Sequence, residues 1–449
     1  MAIEAAMPVR IRITPRRLVA SLDRTRSADL WDEFAEFARA DGVARFRFMG
    51  ETCWLVTDPA LVRKVLTSPP DVVGRSGTFQ KLRVFLGDSL LTTEGAQHRL
   101  RRRQMQPAFH RDLLEVYSAS MVTAARATAD QWRAGEVVAM DREMAVLTMD
   151  AIGRAVLGVD GRAAAPAVGA AVNKLMLAMP LMFIPHIEKF VLKPIPGLGW
   201  VRRPFNTLDA IARRGATDSN AALVESLRAA AAEVPQLSDA EVRDELLTLL
   251  LAGYETTAIL LTWAWWLLDK HAGVAEAVRD ELEAVIGDGE PSYCDVERLH
   301  LTRAVLAETL RLRPPAWVNE RAVIGDLELA GYRPKPGTLL LLPIWAVHRD
   351  PRWWDAPEEF RPQRWLTSAG EYDENAPGHP RGAYLPFGAG AHACIGKMFA
   401  LTEAALALAV LAPQWRPSLA SGARIGLRAT ATLRPAHGMP MRLERRTGR

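Results

Sequence analysis

Cys394 is one of only three cysteines in the chain, and it sits in the loop PFGAGAHACIGK, residues 386–397, with three glycines and His392 two positions before it. A thiolate on such a loop can act as a metal ligand, and the glycines let the backbone lie close to something flat. The same residues also suit a tight turn that ends in a small apolar side chain. A zinc site built on His392 and Cys394 lacks the second Cys/His pair that zinc requires. A second group lies in AGYETT, residues 252–257, where Glu255 and Thr256 stand side by side inside an apolar run. An acid and an alcohol placed there suit proton delivery. The competing reading has the threonines bonding back to carbonyls while Glu255 finds a buried partner. In AVLAETLRLRPP, Glu308 and Arg311 share a helix face, and FRPQRW places Arg364 between aromatic residues as a third member of a buried charge network.

These residues need elements to hold them. The spacing predicts a long helix opening at LSDAE, where Ser238 and Glu241 form a capping box, and continuing to about Gly273. Such a helix is roughly 50 Å long and crosses an entire domain. Its middle is apolar nearly all round and should be buried. Helical patterning runs from about 28 to 300 and returns in a last helix near 395–412. Strand patterning is confined to 43–57 and to GDLELAGYRPKPGTLLLL after residue 315, which reads as two strands around a Pro/Gly turn. Residues 348–386 read as irregular. The outline is a mainly α body with a small β portion.

Composition agrees with a soluble globular protein of 449 residues, 49% hydrophobic and 24% charged. Cys53, Cys294 and Cys394 are too few and too scattered for a disulfide framework, which favours a reducing compartment. The N-terminus lacks an apolar run suited to a signal peptide, and a net charge of +4 does not imply nucleic acid. The expectation is a cytoplasmic protein without a membrane anchor.

Together the segments resemble the cytochrome P-450 family, the haem-thiolate monooxygenases, over nearly the whole chain and in the family's motif order. FGAGAHACIG fits the pattern Phe-x-x-Gly-x-basic-x-Cys-x-Gly through Phe387, Gly390, His392, Cys394 and Gly396. AGYETT matches the oxygen-activation motif, with Glu in place of the commoner Asp. Glu308, Arg311 and Arg364 match the Glu-Arg-Arg network. The resemblance implies a mainly α cytochrome P-450 fold, one domain over residues 1–449 with an N-terminal extension of about 1–27 and no fused reductase. It implies haem b (iron protoporphyrin IX) between the long central helix and the cysteine loop, with Cys394 as axial ligand to iron and a thiolate that favours O–O cleavage. Phe387 and Gly388 would lie against the haem, with Phe387 shielding the sulfur. His98, Arg102, Arg321 and His392 would hold its propionates. Cys53 and Cys294 are expected to be buried and inert.

The same resemblance assigns Thr256 to hold bound dioxygen and a water, and Glu255 to relay protons from solvent. Matched pocket positions are Phe79, Phe85, Thr248, Leu251, Ala252, Trp317, Val318 and Asn319, with residues 175–190 as an apolar lid or as ordinary core. Electrons would come from a ferredoxin and its reductase, docking on Arg99, Arg101 and Arg103 within HRLRRR, residues that otherwise form a solvated face. The expected activity is hydroxylation by a monomer of an apolar small molecule such as a terpenoid, in secondary metabolism. Two alternatives stand beside it: oxidative ring closure without oxygen insertion, and a non-catalytic haem carrier or gas sensor.

Overall fold

The computed structural model describes residues 9–10, 42–48, 51–158, 160–178, 181–182, 186–218, 221–229 and 235–446. A six-stranded sheet contains β1 (Val9–Arg10), β2 (Val43–Phe48), β3 (Glu51–Val56), β4 (Val73–Gly74), β5 (Asn319–Val323) and β6 (Leu339–Leu342). Its order is β1-β2-β3-β6-β5-β4. β6 is four leucines, all buried, as a strand covered on both faces should be. β2 and β3 form the antiparallel hairpin expected over 43–57, with Val43 opposite Val56.

The second predicted hairpin is displaced. Its first strand is Asn319–Val323, ahead of GDLELAG, and it pairs antiparallel with β6 through Asn319–Leu342 and Ala322–Leu339. The stretch expected to be a strand holds only an isolated bridge between Leu329 and Tyr332. Glu320 and Arg321 disguised β5 because their charges belong to a polar cluster and not to an apolar face. Most of the proposed N-terminal extension lies outside the described residues. Val9–Arg10 within it adds an edge strand to the sheet, parallel to β2.

The helices that position the site are α1 (Pro59–Thr67), α2 (Gly95–Met105), α3 (Arg111–Ala129), α4 (Met140–Ile152), α5 (Gly161–Ala178), α6 (Gly199–Asp218), α7 (Asp239–Lys270), α8 (His300–Leu312) and α9 (Lys397–Leu411). α7 is the axis of the molecule and packs on α4, α6, α8 and α9. Its capping box is formed: the Ser238 hydroxyl accepts from Glu241 N–H, and Glu241 Oε2 accepts from Ser238 N–H at 2.9 Å. By length and composition α7 could cross a membrane, yet it lies mostly buried inside this protein, with Leu246, Leu247, Leu250, Leu261 and Trp263 at 0% exposure. Gly253 has a packing reason, since a β-carbon there would approach Ile152 Cδ1 of α4 to 3.1 Å.

Of the 175–190 stretch, Leu175 and Met182 are core and Leu177 is exposed. Residues 179–180 and 183–185 lie outside the described set.

Candidate active site

One cavity of about 330 Å³ lies between α7 and the cysteine loop. The loop owes its shape to local geometry. Cys394 N–H donates to Phe387 O at 2.9 Å, closing the turn. Gly390 has φ +71°, and a β-carbon there would meet Leu66 O of α1 at 2.3 Å, so only glycine fits. Gly396 is the N-cap of α9. Cys394 opens on the cavity, together with Pro386, Phe387, Gly388, His392, Ala393, Ile395 and Gly396. Burial pushes its thiol up, opposed by the Gly396 N–H and the charges of Arg102 and Lys397. The Gly396 N–H and both cations favour the thiolate without outweighing burial, and a metal cation at the sulfur would tip the balance. Of the other cysteines, Cys53 is buried, while Cys294 is exposed, contrary to expectation.

On the facing wall, α7 presents Leu249, Ala252, Gly253 and Thr256, a stripe with helical spacing. The Thr256 hydroxyl donates to Ala252 O at 2.9 Å, so what it offers the cavity is its lone pairs. Glu255 does not line the cavity. Adjacent helical residues point about 100° apart, and the Glu255 carboxylate instead meets Arg434 Nη2 at 2.5 Å and accepts from Thr432 Oγ1 at 2.6 Å. Arg434 also donates to Asn173 Oδ1 at 2.6 Å and is partly solvent-exposed. A further acid, Glu403 of α9, is wholly buried beside the Thr257 hydroxyl, and burial drives its carboxyl well above the usual range.

One end of the cavity is a corner of cations: Arg75, Arg102 and Arg321, with His98 and His392. The rings of His98 and His392 lie 4.0 Å apart. Arg75 Nη2 donates to His392 Nδ1 at 3.0 Å, so the His392 proton sits on Nε2, 3.3 Å from Glu94 Oε2. Burial, His392 and Arg75 depress His98 to about 3, and burial also lowers His392, so both imidazoles are neutral. Burial lowers Arg75 to about 10 and Arg321 below its usual value, yet both remain charged near neutrality. Arg75 Nε has no hydrogen-bond partner among the described residues. Arg102 Nη1 donates to Ala393 O at 2.7 Å and Ala391 O at 3.2 Å, which ties α2 to the cysteine loop. Three guanidiniums meet two carboxylates in this buried corner, Glu94 and Glu320, and burial raises the Glu320 carboxyl, so the corner keeps a positive surplus that fits an anionic group. A haem fits what the residues offer: a metal for the sulfur and propionates for the corner. Arg75 gave no signal in the sequence, since it belongs to no spaced pair and follows a strand of only two residues.

Of the matched pocket positions, Phe79, Thr248, Ala252 and Asn319 line the cavity, whereas Phe85, Leu251, Trp317 and Val318 do not. Phe85 is buried against Phe205, with ring centroids 5.6 Å apart. Leu251 packs into the helical core. In the extended run after Pro314, Pro315, Ala316 and Asn319 face the cavity. Trp317 turns away and donates Nε1–H to Thr430 O at 2.8 Å, and Val318 packs behind it. Leu90, Leu91, Met105 and Phe109 complete walls that sequence spacing did not assign.

Two charged groups support the site from outside. Glu308, Arg311 and Arg364 meet as a buried network, with Arg311 Nε to Glu308 Oε2 at 2.8 Å and Arg364 Nε to Glu308 Oε1 at 3.0 Å. The Trp365 indole and the Arg361 backbone N–H also donate to this carboxylate. Arg101 is not part of a surface patch: it is 3% exposed and pairs with Glu241 at 2.8 Å and Glu245 at 3.3 Å. Arg99 and Arg103 of the same helix are exposed.

A family profile described as "Cytochrome P450" matches residues 18–422. The chain is 35% identical over 402 residues to cyclooctatin synthase of Streptomyces melanosporofaciens, covering 85% of this chain and 84% of that protein. It is 36% identical over 379 residues to cyclooctat-9-en-7-ol 5-monooxygenase of the same organism, covering 81% and 80%. It is 30% identical over 416 residues to pentalenene oxygenase of Streptomyces avermitilis, covering 90% of each. In fold it is similar to the crystal structure of the cytochrome P450DA heme domain, with TM-score 0.86 at 24% identity over 99% of this chain and 98% of that one.

Proposed function

The chain belongs to the cytochrome P450 family, haem-dependent oxidoreductases that incorporate oxygen, and from that premise we propose that it hydroxylates a polycyclic terpenoid. The observation that carries this reading is an apolar cavity closed on one side by Cys394 and on the other by Thr256. Cyclooctatin and pentalenene, the compounds in the relatives' names, are polycyclic terpenoids, and the cavity's Leu, Met, Phe and Ile walls suit such carbon skeletons. When bound, the haem supplies the oxidising power, using O2, two electrons and two protons to place an oxygen atom on the substrate.

The protein's own share is orientation and protons. Cys394 would bind the haem iron, and the Arg75, Arg102 and Arg321 corner would hold its propionates. Leu249 and Ala252 give the facing wall of α7 an apolar surface that would hold substrate and exclude water. Thr256, with its proton engaged by Ala252 O, accepts a hydrogen bond from a water or another O–H in the cavity and so orders the last proton donor. Glu255, in contact with partly exposed Arg434, sits where protons from solvent can reach α7. Thr256→Ala should bind substrate normally but release peroxide, with product per electron falling about tenfold or more. Parallel assays of peroxide and product check this, and full coupling in the variant would remove Thr256 from proton delivery.

The electrons come from a separate ferredoxin and its reductase in the cytoplasm. Exposed Arg99 and Arg103 lie on α2, whose Arg102 grips the cysteine loop, so an acidic donor docking there comes close to the haem edge. Arg103→Glu should slow first-electron transfer about tenfold at low salt and leave substrate affinity unchanged. The difference should shrink as salt screens the attraction. Stopped-flow reduction at two ionic strengths measures both effects, and equal rates would place the dock elsewhere.

A further inference from the structure

Away from the cation corner, the polar side chains that α7 adds to the cavity lining are Glu245, Thr248, Thr256 and Thr257, and the first two differ from the others in their hydrogen bonding. Glu245 and Thr248 stand three apart on α7 and both line the cavity. Glu245 is fully buried and Thr248 is 6% exposed. Glu245 Oε1 is accounted for, since it accepts from Leu90 N–H at 2.8 Å and lies 3.3 Å from Arg101 Nε. Oε2 has no hydrogen-bond partner among the described residues, and neither has the Thr248 hydroxyl. That makes Thr248 unusual on its own helix. Thr256, Thr257 and Thr262 all donate to a carbonyl one turn back, at 2.9, 3.4 and 2.7 Å. Buried polar atoms are nearly always paired, so two orphans on one cavity wall point to a ligand that pairs them.

We infer that Glu245 and Thr248 form a hydroxyl-recognition subsite, and that the substrate arrives already carrying an alcohol. This rests on the terpenoid reading above and narrows it. A hydroxyl both donates and accepts, so it matches in kind what the two orphan groups lack, whereas a hydrocarbon matches neither. Burial lifts Glu245 to about 8 against the pull of Arg101, so near neutral pH its carboxyl mostly holds a proton. With Oε1 already accepting, that proton sits on Oε2 and is available to the ligand's oxygen. The ligand O–H in turn donates to the Thr248 hydroxyl. A protonated amine is disfavoured here, because Arg101 stands directly behind Glu245.

Thr248 precedes Thr256 by eight residues, about 12 Å along the helix. The existing hydroxyl is therefore held at the end of the molecule remote from the carbon being oxidised. The reaction that supplies this substrate must belong to a class that installs oxygen, either an earlier monooxygenation or a terpene cyclisation ended by capture of water.

The test uses haem-loaded enzyme and the optical shift on ligand entry, titrated with abietadiene and with the corresponding primary alcohol, abietadienol. In the wild type the alcohol should bind about five- to tenfold more tightly. Thr248→Val is isosteric and should erase that preference without lowering the melting temperature. Glu245→Met should erase it too, and it leaves Arg101 paired with Glu241. Equal affinities in the wild type, or a preference that survives both substitutions, overturn the subsite and leave the terpenoid reading standing. If neither ligand binds the wild type, the terpenoid reading falls and this inference falls with it.

Discussion

In the reduced, CO-bound protein the Soret band should take the red-shifted position of a thiolate-ligated haem, and Cys394→Ala should abolish that band completely. Cys394 is the one cysteine that opens on the cavity, and the Cys394–Phe387 backbone bond aims it there. Cys53→Ser and Cys294→Ser are the controls. Cys53 is buried within the sheet and Cys294 sits on the surface, so both variants should keep the band. Loss of the band in either control, with retention in Cys394→Ala, would reverse the ligand assignment. The cation corner gives a second expectation for Cys394→Ala: haem still binds through Arg75, Arg102 and Arg321, with reduced affinity and without the thiolate signature.

Glu308→Ala should cost about 3–5 kcal/mol of stability, since it strands two buried guanidiniums. Arg311 is 0% exposed and keeps no carboxylate partner among the described residues, only the carbonyls of His348, Pro357 and Glu359 and the face of Trp354. Typical total stabilities are about 5–15 kcal/mol, so a loss of this size takes a large share. Glu276→Ala is the matched control. Glu276 has the same spacing to Arg279 and also binds Arg446 at 2.8 Å, but it is 42% exposed, so its loss should cost about 1 kcal/mol or less. Denaturant titration distinguishes the two, and equal costs would mean that the buried network contributes no more than a surface pair.

Acid should test the Glu308 network as well. Burial pushes the Glu308 carboxyl up, but Arg311 and Arg364 outweigh it and hold the group below its usual value. A depressed carboxylate contributes its full stability above the unfolded value of about 4.3 and loses it as pH falls through the folded value. The wild type should therefore lose stability more steeply than Glu308→Ala in that acidic window. Parallel slopes would contradict the assignment.

The two networks also show what could be read in the chain before folding. Glu308 and Arg311 are three apart on one helix, a local relation visible in the sequence, and the capping box at Ser238 and Glu241 is local too. The Gly-rich cysteine loop carries its geometry in its own glycines. Relations made by distant segments left no such trace. Arg434 reaches Glu255 from a strand near the C-terminus, and nothing near either residue foretells the pair. Arg101 looked like one basic residue among several, yet the turn of α2 sends it inward to Glu241 and Glu245 while Arg99 and Arg103 face solvent. Trp317 and Phe85 were assigned by position to the cavity, but each found a better partner elsewhere, in Thr430 O and Phe205. Charge concealed the strand Asn319–Val323, because Glu320 and Arg321 sit beside the propionate corner and not in an apolar layer.

The proposed hydroxylation inserts an oxygen atom from O2 into a terpenoid held between Cys394 and Thr256. The most direct measurement supplies haem-loaded enzyme with a surrogate ferredoxin and reductase, a bound terpenoid and heavy-isotope O2, and reads the product by mass spectrometry. The product should gain a single heavy oxygen atom and take none from labelled water. A product that is oxidised yet unlabelled would contradict it, and would assign the enzyme to ring closure or coupling instead.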